Sequence, residues 1–264
     1  MFRQRSLWLV AASCAAALGA EGAMAFVVPG ARSLDAHALQ AFEALGQNAH
    51  VLRASAAVIS ATPAAIAILT ALLALIALRD GRRTLAVAIP LATIGAVLSA
   101  DLLKSLIDET RFSAALGYNQ LTASSWPSGH STAAMMGLLC ALLVAPQRLR
   151  RVVAVAGSAA VLLVCCSLLV QGVHYPSDVL GGMLLAGLWT SLTLAVVRRS
   201  GERSDAHVAL REPVAGAAAG VLVALAGAAA LASIGLPVGG ALLLATATLG
   251  LVAAALGAGI ASLN

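Results

Sequence analysis

The sequence predicts an all-α protein: a polytopic membrane helical bundle of about eight transmembrane helices, six forming a core and two a C-terminal hairpin. Three observations carry this reading. Of 264 residues, 61% are hydrophobic and 10% charged, whereas soluble domains run nearer a quarter charged. Mean hydropathy is +0.96. The apolar residues also form continuous runs that reach the length needed to cross ~30 Å of hydrocarbon. Because they do not alternate with polar residues, a β-barrel is excluded, and lipid, which satisfies no backbone group, leaves only helices.

The runs fall at 8–28, 54–78, 84–104, 130–146, 152–173, 178–197, 213–235 and 238–262. Ahead of the first stand Arg3 and Arg5, and Ala23-Met24-Ala25 resembles a signal cleavage site. The run nevertheless continues through Phe26, Val27 and Val28, so an uncleaved first helix is expected. Ser13-Cys14 makes a poor lipoprotein site, because Ala11 stands where a larger aliphatic residue belongs. Between the first two spans, Ser33 suits a helix N-cap. Leu34, Ala38, Phe42 and Leu45 would then share one face. Residues 33–53 therefore read as a helix lying on the interface, or as a simple connector. The polar stretch 198–212 marks a boundary between a membrane-embedded domain, 1–200, and a linker with the C-terminal hairpin, 201–264. That hairpin is rich in Ala, Gly and Leu and suits close packing through small residues.

The net charge of +5 is placed as membrane loops place it. With a cytoplasmic N-terminus, Arg3, Arg5, Arg79, Arg82, Arg83, Arg148, Arg150, Arg151, Arg198, Arg199, Arg203 and Arg211 all face the cytoplasm. Only Arg32, Arg53, Lys104 and Arg111 face outward, twelve against four of the sixteen basic residues. This positive-inside bias predicts a multi-pass inner-membrane protein with both termini cytoplasmic. No basic stripe interleaved with aromatics is present, so nucleic acid is not an expected partner. Cys14, Cys140, Cys165 and Cys166 lie inside apolar runs without metal-ligand spacing and read as small apolar fillers. Oligomeric state leaves no trace in the sequence.

Ionisable residues are costly at membrane depth and mark function by default. Three clusters stand out, all on the outward side of this topology. Lys104, the only lysine in the chain, precedes Arg111 by seven residues. The pair suits a phosphate clamp, a compact charge beside a planar fork, or else an interfacial pair snorkelling to headgroups. Asp101, three residues earlier, falls on the same helix side and reads as a partner of Lys104. Asp108 and Glu109 read as solvated loop charges. Pro127-Ser128-Gly129-His130 opens the fourth run, where a helix N-terminus attracts anions. His174 and Asp178 are one helical turn apart, so the carboxylate can reach one ring nitrogen and leave the other free as base or nucleophile. A serine-hydrolase triad through Ser128 lacks the Gly-x-Ser-x-Gly elbow. A metal site from His130, His174 and Asp178 is opposed by the nearby cations.

Together the clusters resemble the three-part signature of the type-2 phosphatidic acid phosphatase superfamily, the integral-membrane lipid phosphate phosphatases. The family pattern Lys-x6-Arg-Pro, Pro-Ser-Gly-His, Ser-Arg-x5-His-x3-Asp stands here as Lys104-x6-Arg111-Phe112, Pro127-Ser128-Gly129-His130 and Ser167-Leu168-x5-His174-x3-Asp178. Tyr175-Pro176-Ser177 and Val179-Leu180-Gly181-Gly182 also look like family members, and the resemblance covers about residues 30 to 200. It implies metal-independent hydrolysis of a lipid phosphate, such as a polyprenyl (di)phosphate or phosphatidic acid, without a cofactor. His174 would form a phosphohistidine, Asp178 would orient it, and His130 would act as general acid. Lys104, Arg111, Ser128 and the Gly129 amide would hold the phosphate oxygens. Two departures stand out. Phe112 replaces the family's Pro, and Leu168 replaces its second phosphate-binding Arg, with Gln171 a substitute donor nearby. The departure at 168 leaves one alternative, a weak or inactive lipid-phosphate-binding protein; a lipid phosphotransferase, which would use the same intermediate, is another.

Overall fold

The computed structural model describes residues 2–110, 112–113, 118–119, 121 and 123–201. Arg111 and the expected C-terminal hairpin lie outside the described residues. Within them the chain forms seven α-helices: α1 (Phe2–Val27), α2 (Pro29–Leu45), α3 (Ala49–Arg79), α4 (Arg83–Ile107), α5 (Gly129–Val144), α6 (Arg150–Val170) and α7 (Pro176–Arg199). A 3-10 turn, Gln147–Leu149, joins α5 to α6. Five of these helices are long and apolar enough to cross a membrane, and α5 is a shorter apolar helix. The polytopic helical bundle expected from the sequence is the observed fold.

Because α3, α4, α5, α6 and α7 run alternately up and down, the C-termini of α4 and α6 lie at the same end of the bundle as the N-termini of α3, α5 and α7. The described residues of all three polar clusters, Asp101 and Lys104, Pro127–His130, and His174 with Asp178, share that end. The opposite end gathers Arg79, Arg82, Arg83, Arg148, Arg150, Arg151, Arg198 and Arg199. Beyond its polar first turn, α5 is apolar all round and packs against α3, α4, α6 and α7, as a helix without a polar face must be enclosed. Its Met135, Met136 and Leu139 are fully buried, joined in one core by Ile89, Cys165, Leu169, Val179 and Met183 from the neighbouring helices. Of the spans, α7 is the most buried and α3 the least.

Between α1 and α3 the structure corrects the expected boundaries. The intervening helix begins at Pro29, not Ser33, with Val28 as N-cap and Pro at the first helical position. That position suits proline, which has no amide to leave unpaired. The helix ends at Leu45, and residues 49–53 belong to α3, whose start is capped by the Asn48 side chain accepting from the His50 and Val51 amides. The buried face of α2 is Asp35, Ala36, Ala38, Leu39, Phe42 and Leu45, so Leu34, expected on one face with Ala38, Phe42 and Leu45, lies off it and is 52% exposed. The α4–α5 connection holds a pair of two-residue strands, β1 (Phe112–Ser113) and β2 (Tyr118–Asn119), paired antiparallel.

Candidate functional site

The first component of the site is the last turns of α4. Lys104 reaches back one turn, and its ammonium donates to Asp101 Oδ1 at 3.0 Å. Both face the start of α5: a Cβ built on Gly129 would lie 3.6 Å from Lys104 Nζ and 3.7 Å from Asp101 Oδ1. Beyond Lys104 the helix stops at Asp108, an exposed left-handed residue with φ 39°.

The second component is the N-terminus of α5. A cis peptide bond joins Trp126 to Pro127, and Ser128 caps the helix, its Oγ accepting from the Ser131 amide at 3.4 Å. Ser128 is completely buried and donates its own amide to Asp178 O at 2.8 Å. The first two helical amides, Gly129 and His130, have no partner within their helix, as at any helix start. They therefore form the anion-attracting end.

The third component is the N-terminus of α7. Asp178 is fully buried, and its Oδ2 accepts from the Tyr175 amide at 2.7 Å, where the helix dipole favours a negative charge. His174, 9% exposed, lies with Nδ1 3.4 Å from that same oxygen. No aligned hydrogen bond fixes Nδ1.

These components are fastened to one another. Besides the Ser128 N–H to Asp178 O bond, the Ser131 hydroxyl donates to Val179 O at 3.1 Å. Gly182 makes the contact possible: a Cβ there would collide with Ser131 Oγ and sit 2.5 Å from Ser128 O. With α5 and α7 held this closely, His130 lies within electrostatic reach of His174, Lys104 and Asp101. Among the described residues no group of three or more His, Cys, Asp or Glu side chains is placed to hold a metal ion.

Below this cluster lies a cavity of about 620 Å³ between α3, α4 and α5. Asp101, Lys104, Gly129 and His130 form its polar end, and Ile66, Ile94, Val97 and Leu98 are among its apolar walls. Pro63 and Pro90, each interior to a span, line it as well. Lys104 lies fourteen residues beyond Pro90 on α4, about 21 Å at 1.5 Å per residue.

Two expectations need comment. Gln171 is not aimed at a phosphate: its Nε2 donates to Leu52 O and to Ser55 Oγ, both at 2.7 Å, tying the end of α6 to α3. Leu168 is 1% exposed and belongs to the apolar core.

Two buried carboxylates escaped the sequence reading. Glu21 of α1 accepts the Trp126 indole N–H at 2.7 Å. That indole, at the entrance to Pro127–His130, is wedged between α1 and α7, since a Cβ on Gly22 or on Gly181 would strike it. Asp35 of α2 accepts both the amide and the hydroxyl of Ser177. Glu21 is the only acidic residue in its apolar run, a signal that could have singled it out.

At one end of this helical bundle, then, stand two imidazoles, a buried carboxylate, an ammonium and a helix N-terminus. The model of the PAP2 superfamily matches residues 85–202 of the chain. This stretch contains all three motif clusters. Neither a curated protein nor a solved structure matches the chain.

Proposed function

We propose that the chain hydrolyses a phosphomonoester or diphosphate carried by a lipid, such as a polyprenyl (di)phosphate or phosphatidic acid, through a phosphohistidine at His174. The observation that carries this reading is the union of the α5 and α7 N-termini, with His130 in electrostatic reach of His174, above an apolar cavity that ends at Lys104. A tail of about the cavity's 21 Å length would remain in hydrocarbon, itself ~30 Å thick, while its phosphate meets the cations. His174 Nε2 attacks phosphorus, forming the N–P bond as the P–O bond to the lipid breaks. His130 gives the departing oxygen its proton. Asp178, beside Nδ1, offsets the charge that develops on the ring. Lys104 and the Gly129 and His130 amides stabilise the equatorial oxygens, with Arg111 assigned by its motif position. Water, deprotonated by His130, then releases phosphate from His174. The arginine distribution supports an extracytoplasmic location for this chemistry in the inner membrane, with both termini cytoplasmic.

The test is phosphate release by detergent-solubilised protein across a panel of lipid phosphates, with and without EDTA. Release that persists in EDTA and is abolished by His174→Ala is the expected result. Loss in EDTA would point to a metal. Absence of release across the panel would favour the second reading, a lipid-phosphate-binding protein, for which the burial of Leu168 at the family's Arg position is the specific support. Transfer of the phosphate to a second lipid in place of water would identify a phosphotransferase.

A further inference from the structure

The turn that carries His174 and Asp178 is held from outside the motif clusters. Asp35, on α2, lies 142 residues from Ser177, yet its Oδ1 accepts the Ser177 amide at 3.1 Å and its Oδ2 accepts the Ser177 hydroxyl in a short contact. Both residues are buried. A buried carboxylate is costly unless its oxygens are hydrogen-bonded, and Ser177 donates to each of the two oxygens. Ser177 is the second residue of α7, so its amide belongs to the unpaired set at a helix start, where a negative charge is favoured. Asp35 and Asp178 thus divide the first turn between them: Asp178 takes the Tyr175 amide, and Asp35 takes that of Ser177.

The remainder of α2 and its C-cap follow the same loop. A Cβ on Gly46 would lie 2.9 Å from Val170 O, and one on Gly172 would lie 2.6 Å from Glu43 Oε1. From 170 to 177 the segment bearing His174 is therefore bordered by α2. This matters because no aligned hydrogen bond holds His174 Nδ1; the direction of the ring depends on where the backbone of this turn is placed.

We propose that Asp35 is a positioning residue, which fixes the first turn of α7 so that His174 stays against Asp178 with its other nitrogen directed at the phosphorus. The proposal rests on the hydrolase reading above. The test compares wild type, Asp35→Asn, Asp35→Glu and Ser177→Ala in detergent micelles on the lipid phosphate that wild type hydrolyses fastest in a panel of phosphatidic acid and polyprenyl mono- and diphosphates, measuring kcat, KM and Tm. Asp35→Asn is expected to lower kcat by ~10–100-fold, the scale of an ångström-sized misplacement, with KM within about twofold and Tm nearly unchanged. Asp35→Glu recovers part of the loss. Ser177→Ala, which keeps the amide bond but loses the hydroxyl bond, gives a smaller fall, and the Asp35→Asn/Ser177→Ala pair is less than additive because both act through one contact. Wild-type kcat in Asp35→Asn, or a fall in kcat that only tracks lost folded protein, overturns the assignment. Should Asp35→Asn not fold, unchanged kcat in Ser177→Ala overturns it, and a selective fall supports it. A wild type with no His174-dependent release from any lipid of the panel overturns the hydrolase reading together with this one, whereas an active wild type indifferent to Asp35→Asn removes this assignment alone.

Discussion

Adding one methyl group at Gly182 is the sharpest available test of whether the α5–α7 junction sets the reaction rate. A Cβ at Gly182 would lie 2.5 Å from Ser128 O and closer still to Ser131 Oγ. Ordinary contact begins near 3.4 Å, so relief from the carbonyl alone requires a retreat from 2.5 to 3.4 Å, about 0.9 Å. Ser128 O is backbone and also accepts from the Thr132 amide and hydroxyl, so the helices themselves must part. Overpacking of this kind costs about 1–3 kcal/mol. The same parting moves the turn of α7 next to His174 and Asp178 away from His130, and an ångström of misplacement lowers turnover by ~100-fold. Gly157→Ala is the control. There the Cβ would meet the tip of Leu138, a flexible side chain that can swing aside, and Gly157 lies toward the arginine-rich half of α6. The assay is initial-rate phosphate release with Tm followed on the same preparations. Gly182→Ala should lose ~100-fold in kcat, while Gly157→Ala loses stability at most. Wild-type kcat in Gly182→Ala, or equal kcat losses in both, would refute the argument.

Three further outcomes are expected. Trp126→Phe deprives Glu21 of its buried indole donor and should cost about 1–3 kcal/mol of stability, read by thermal unfolding in detergent; Trp126→His, which keeps a ring N–H, should cost less. Gly172→Ala forces a side chain into φ +65°, about 1–2 kcal/mol, and crowds Glu43, so Tm should fall; an unchanged Tm would mean that this loop relaxes freely. Leu168→Arg places a guanidinium in a 1%-exposed apolar position and should lower Tm without raising turnover; a gain in phosphate release would show instead that the position faces the phosphate.

The bundle was legible because its helices are continuous apolar runs, a signal that survives errors of a few residues at either end. The interfacial helix was legible in kind but not in phase. Proline at the first helical position moved the start from Ser33 to Pro29, and the buried set turned out to be 35–36, 38–39, 42 and 45, which leaves Leu34 outside. The paired strands at 112–113 and 118–119 are too short to carry any period. Within the site, Lys104, His130, His174 and Asp178 were legible because charge and imidazole are rare in such a sequence. Asp35 was not, since a lone aspartate 142 residues from its partner has no spacing to betray it. Gln171 shows the opposite failure: its place near a motif suggested a ligand contact, but its amide was needed to tie α6 to α3.

The uneven burial of the spans has a consequence for how a water-insoluble product can leave. Along its most apolar window α7 is 67% enclosed by protein, and α3 only 17%. Prising α5 from α7 would tear polar bonds at the candidate site, whereas the apolar windows of α3 and α4 are only 17% and 39% buried. A slight lateral yielding of those two helices exchanges one greasy neighbour for another at small cost. On the hydrolase proposal, a spent lipid would find its easiest exit sideways between them, with His130 and Asp178 held in place on α5 and α7 and only Lys104 carried along by α4.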